Sequence, residues 1–269
     1  MNKEIRFLAI LFIVSASAML GAHIIHFQGG HFPLTAINLI SMGFVSFWIS
    51  FRLFSSTRKD FQLRIFASFF FLFFLFMISM IIAHIPLFFY HKDHEIFSRD
   101  MHWGYLIGHI FLYLSLAVFI RLPLHWVAPR LKNAGSVFFL LLGGVTTVLN
   151  VLKPSLPEYS HSTGITFFNV DPLVGKLVAL NVLLVWVPAG IYFIVKGVRS
   201  QERNVRWRAL LLGIGLLVAT LGGPLHDISR EPIVFLIADI VVLAGIIILA
   251  SGVMYRDKSE NQAGWNPLK

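Results

Sequence analysis

Eight blocks of mostly apolar residues follow one another along this chain, and each is long enough to cross a hydrocarbon core about 30 Å thick as a helix. The densest, FFFLFFLFMISMIIA at 69–83, carries no charge at all. Blocks of this kind leave few folds open. None alternates with the period of two expected of barrel strands. Charged residues make up only 13% of the sequence, where a soluble domain carries about 25%, so a water-facing surface of this size would go uncovered. The expected fold is an all-α, polytopic transmembrane helical bundle of eight spans. The boundaries fall at about 6–27, 34–54, 64–89, 103–122, 134–152, 175–196, 207–224 and 233–254. The chain is expected to form a single integral membrane domain, 1–269, with residues 255–269 as a short cytoplasmic tail.

Lysine and arginine set the orientation. They gather before span one (Lys3, Arg6), between spans two and three (Arg52, Arg58, Lys59, Arg64) and between four and five (Arg121, Arg130, Lys132). Further groups lie between six and seven (Lys196, Arg199, Arg203, Arg206, Arg208) and after span eight (Arg256, Lys258, Lys269). Seventeen of the 22 basic residues thus share one side. The positive-inside rule makes that side, and both termini, cytoplasmic in a multi-pass protein of the cell membrane. One alternative concerns the start. MNKEIR, FLAILFIV and SASA have the shape of a cleavable signal peptide, but the run stays largely apolar through Ile25, which favours retention.

Several functions are excluded or unsupported. With no cysteine there is no disulfide, thiolate metal site or covalent haem c. No nucleotide-binding loop and no GxSxG elbow occurs. The net charge of +9 reflects the basic flanks of membrane spans, and no nucleic-acid module accompanies it. The expected surroundings are the lipid bilayer. The tail after Arg256 is too short for a signalling domain, so any redox or signalling output would pass through a partner subunit.

The histidines carry the functional signal. Ten of the eleven fall on the outer side, and only His125 sits with the cytoplasmic loops. At 1.5 Å rise per residue, His23, His84, His109 and Asp239 lie about 8–10 Å below the outer ends of four different spans. Asn38, Asn150 and Asn181 lie near the same layer. Stripes form by helical spacing: Met19, His23 and His26 on span one; Met77, Met80, His84 and His91 on span three; His102, Tyr105 and His109 on span four. Ionisable groups within a membrane face the bundle interior or a wet cavity, so the stripes are expected to line one outward-open pocket.

Three chemistries fit such a pocket. A bis-histidine haem b for electron transfer would draw its ligands from His23, His26, His84, His102 and His109, with Gly104 and Gly108 giving a flat cofactor room or simply packing the helices. A copper or zinc site, for metal handling or hydrolysis, would draw on His23, His84, His109, Asp239 and His226. A cofactor-free pocket would bind a small ligand or titrate as a pH sensor, proton relay or transporter component. Asp239 stands out in every case, because a carboxylate at that depth needs a partner, Lys176 being the basic candidate. LGGPLHDISREP, 221–232, reads as a helix-breaking turn that sets His226 and Asp227 above the pocket. The loop KPSLPEYSHSTGITFFNVDP, 153–172, is the long exception among short connections.

Overall fold

A computed structural model describes residues 3–29, 33–55, 61–89, 94–154, 157–228 and 231–255. Within its helices the side chains at 88–89, 94–97 and 223–228 lie outside the description. Among the described residues the α-helices are α1 (Lys3–Phe27), α2 (Leu34–Phe54), α3 (Phe61–Phe89), α4 (His94–Phe119), α5 (Arg121–Val127), α6 (Lys132–Leu152), α7 (Pro172–Arg199), α8 (Arg203–Ile228) and α9 (Pro232–Met254). Eight of the helical stretches are long and apolar enough to cross a membrane, and α4 with α5 makes one of them. Span four therefore reaches Val127 rather than stopping near 122, with a turn at Ile120.

Neighbours in sequence pack side by side. α2 lies on α3, α3 on α4, α4 on α6, α6 on α7, α7 on α8 and α8 on α9, and α1 packs on both α2 and α9. In lipid the tails outside are as apolar as the side chains between helices, so close backbone approach replaces hydrophobic drive. Glycines supply that approach. A Cβ at Gly245 would stand 2.6 Å from Ala219 Cα, and one at Gly213 would stand 2.6 Å from Gly190 O. The outward faces keep their apolar side chains exposed, as at Phe138, Leu141 and Val148 on α6.

The sequence suggested a helix-breaking turn from Gly222 to Pro224. α8 instead continues through them to Ile228. A Cβ at Gly222 would meet Ala238 O at 2.7 Å, so this glycine serves contact with α9. His226 and Asp227 belong to this last helical stretch, and their side chains lie outside the described residues.

The long loop 153–172 holds a second surprise. It folds into an antiparallel hairpin, β1 (Glu158–Ser160) paired with β2 (Ile165–Phe167). Gly164 closes its turn at φ +67°, a backbone region that glycine adopts at no steric cost. The hairpin dips into the bundle: Ile165 and Thr166 are fully buried and Tyr159 nearly so. The segment then enters α7 through Asp171, whose Oδ1 accepts from Leu173 N at 2.9 Å, with Pro172 at the first helical position. That amide bond, aided by Lys153 3.3 Å away, holds the Asp171 carboxyl below its usual range.

Two predictions follow from these contacts. Gly245→Ala forces α8 and α9 apart and costs about 1–3 kcal/mol in unfolding measured in mild detergent. Gly144→Ala, whose Cβ meets nothing within 4 Å, costs nothing by the same measurement. Asp171→Ala lowers the unfolding midpoint at neutral pH. A carboxyl with a depressed folded pKa stabilises above its unfolded pKa and loses that contribution as pH falls through the folded one. The gap between Asp171→Ala and the parent therefore narrows in acid, and a gap that stays constant with pH would rule out the carboxylate as its cause.

Candidate functional site

The buried polar layer is built from α1, α2, α3, α4, α9 and the hairpin. His23, His26, His84, His109, Asn38 and Asp239 are all buried, as expected for groups facing the bundle interior, while His102 is half-buried beside Trp103. The hairpin lies among them, bonded to His26, His84 and Thr35. Thr166 hydrogen-bonds to α3 through His84, and its amide donates to Thr35 Oγ1 of α2 at 3.0 Å. His26 of α1 bonds Ser162 O at 3.1 Å, Phe168 lies against Tyr105 of α4, and Phe167 against Phe235 of α9. The Leu34 amide, left without an intrahelical partner at the start of α2, donates to Gly164 O at 2.7 Å.

The histidines share one local device. His23 Nδ1 bonds Met19 O at 2.9 Å, His84 Nδ1 bonds Met80 O at 2.8 Å, and His109 Nδ1 bonds Tyr105 O at 2.8 Å. A carbonyl only accepts, so Nδ1 carries the proton in each ring. Nε2 of the neutral ring is then a bare acceptor. What meets each ring differs. At His84 the Thr166 hydroxyl donates to Nε2 at 3.0 Å, so both nitrogens are engaged. The His109 ring stacks on Tyr105 at 3.8 Å and is flanked by Phe76 and Tyr113. His23 Nε2 is buried with no hydrogen-bond partner among the described residues.

His23 sits in the most polar corner, where α1, α2 and α9 meet. Asp239, His26 and the Pro232 backbone are the groups close enough to act on it. Asn38 Nδ2 donates to Asp239 Oδ2 in a short hydrogen bond, so the carboxylate meets an amide here, while Lys176 is exposed at the start of α7. Among the described residues Asn38 Oδ1 is buried without a partner, and so is His26 Nδ1. His26 Nε2 donates to the Ser162 carbonyl, so its Nδ1 is likewise an acceptor. His23 Nε2, His26 Nδ1, Asn38 Oδ1 and the Asp239 carboxylate thus present acceptors. Leaving a buried polar atom unpaired costs about 1–3 kcal/mol, so this corner favours an occupant that donates.

The cofactor expectations fare as follows. Among the described residues no three His, Asp or Glu side chains come together to hold a metal ion. The set of His23, His84, His109 and Asp239 is therefore not assembled, and the His226 side chain lies outside the description. A haem pair through His84 would have to displace Thr166. The room that Gly104 and Gly108 offered a flat cofactor is filled by α3: a Cβ at Gly104 would meet Ala83 Cβ and, 3.0 Å away, Ser79 O, and one at Gly108 would meet Phe76 O at 3.2 Å. Those glycines pack helices. Asn181, also placed near the layer, bonds its own helix at Leu177 O and reaches Thr146 of α6 at 3.4 Å. Asn150 is buried elsewhere on α6. Thr35, Ser162 and Thr166 escaped the sequence reading; the alternation in ITFF after Ser-Thr-Gly was the available signal for a strand beyond a turn.

Searches against models of known families, curated proteins and solved structures find no match to this chain.

The clamp on the hairpin is testable. Thr166→Val removes the hydroxyl that donates to His84 Nε2 in a buried site and is expected to cost about 1–3 kcal/mol of stability, read by thermal unfolding. It should also raise proteolysis within 158–167. Unchanged protease resistance would show that the His84 bond does not hold the hairpin.

Proposed function

We propose that this chain is a proton-linked multi-pass membrane protein, acting as a transporter component or pH sensor. Its exchangeable proton would be held between His23 Nε2 and the Asp239 carboxylate beneath the hairpin. One observation carries the reading: acceptor atoms from α1, α2 and α9 converge in a buried corner, and three of them lack a donor. A proton suits such a corner better than a metal ion, because it demands no ligand count or geometry. On arrival at His23 Nε2 it would meet the Asp239 carboxylate, and the Pro232 backbone beside it has only a carbonyl to offer. Ionisable side chains at this depth commonly mark proton relays and substrate paths.

The basic flanks support an orientation with both termini cytoplasmic, which places this corner and the hairpin toward the outside. Opening would then need the hairpin to lift. Its attachments to His26, His84 and Thr35 are hydrogen bonds that another partner or water can replace. Haem b and a copper or zinc centre rank behind this reading, since Thr166 already engages His84 Nε2 and no three-ligand cluster forms among the described residues.

The test is a pH-jump infrared difference spectrum of the full chain in lipid. A pH-dependent imidazole band of a buried ring is expected in the parent and missing from His23→Gln, and Asp239→Asn, which removes the charge that faces the ring, should change its pH dependence. A buried-ring band that survives in His23→Gln, or none that responds to pH, sinks the proposal. Protein purified in mild detergent is also expected to show no Soret band and no stoichiometric metal.

A further inference from the structure

The end of the bundle opposite the hairpin holds a separate groove. A cavity of about 390 Å³ opens there, lined by Tyr192, Val195, Lys196, Arg199, Ser200 and Val205. We infer that this groove binds the headgroup of an anionic phospholipid, with the lipid phosphate held by Lys196 and Arg199.

The two cations lie three residues apart on α7 and so project from neighbouring positions of one face. The ion pairs among the described residues are Arg52–Glu4, Arg99–Asp100 and Lys153–Asp171, and none neutralises either of them. A third cation is fixed at the same corner. The Arg206 guanidinium donates twice to Ser200 O, at 3.1 and 3.0 Å. The lysine is held in place as well: its Nζ stands 5.4 Å over the Trp126 ring, which stacks on Tyr192 at an interplanar angle of 13°. Such a contact holds an ammonium over the ring face. The carbonyl end of α7 opposes an anion, but only with roughly half an elementary charge, against whole charges from the side chains.

The shape of the surroundings selects a lipid over a free anion. Ile191, Val195 and Val198 stand on the same stretch of helix and are 52%, 41% and 67% exposed. In a membrane-spanning helix these side chains face acyl chains. The charged mouth thus sits at the end of an apolar track, which suits an amphiphile with one phosphate and two tails. Basic pockets between spans on the cytoplasmic side take anionic headgroups by the same physics.

The experiment is native mass spectrometry of the full chain, titrated with phosphatidylglycerol or phosphatidylcholine in mild detergent. One phosphatidylglycerol should be retained in preference to phosphatidylcholine. K196Q/R199Q should weaken that binding about tenfold or more, and the charge-preserving K196R/R199K should keep most of it. Arg130→Gln, at a different inner loop, should leave it unchanged, and thermal unfolding of each variant controls for folding. Equal retention of the two lipids would overturn the proposal. So would a K196Q/R199Q variant that folds and binds as the parent does, or an Arg130→Gln effect of the same size. Displacement of the lipid by millimolar inorganic phosphate would overturn it too, by making the site one for a free anion.

Discussion

A polypeptide that is not helical has no place in the hydrocarbon layer unless its amides and carbonyls find partners inside the protein. The hairpin at 158–167 reaches His84, five residues before the C-terminal end of α3, within a stretch long and apolar enough to span a membrane, and so comes under this constraint. It meets the demand with its own strand pairing, with Thr35 Oγ1 for the Thr166 amide, and with the Leu34 amide for Gly164 O. The last of these also satisfies an orphan donor at the start of α2. The position of α2, the burial of Thr166 and the orientation of the His84 ring therefore depend on one another.

That dependence explains why the sequence reading stopped where it did. Helix number and span were legible because bilayer thickness acts on local composition: twenty apolar residues announce themselves whatever their neighbours do. The positions of His23, His84, His109 and Asp239 along their helices were legible for the same reason, since rise per residue is fixed. Their company was not. Which face meets which partner depends on long-range packing, and the 153–172 segment carries Pro, Ser and Gly, the usual marks of a surface loop. Nothing local in it says that Ile165 and Thr166 will be fully buried. Gly222 to Pro224 misled in the other direction. A Gly-Gly-Pro run usually ends a helix in water, but inside a bilayer neighbouring helices sustain it, and Gly222 is there because α9 comes close.

The three back-bonded histidines separate structural roles from functional ones. His23, His84 and His109 each give Nδ1–H to the carbonyl four residues earlier, which fixes the tautomer and aims Nε2 outward as an acceptor. The local chemistry of the three is identical, so sequence could not rank them. The environment does. At His84 a hydroxyl already donates to Nε2, and the ring serves as a post for the hairpin. At His109 the ring lies among Tyr105, Phe76 and Tyr113, where an aromatic cluster accounts for its burial. At His23 neither explanation applies: Nε2 is buried and unpartnered, and the nearest ionisable neighbours are Asp239 and His26. An acceptor kept bare beside a carboxylate is an expensive arrangement for a purely structural residue. Under the proposed function, a proton on Nε2 would give the ring a donor toward Asp239 and the Pro232 carbonyl.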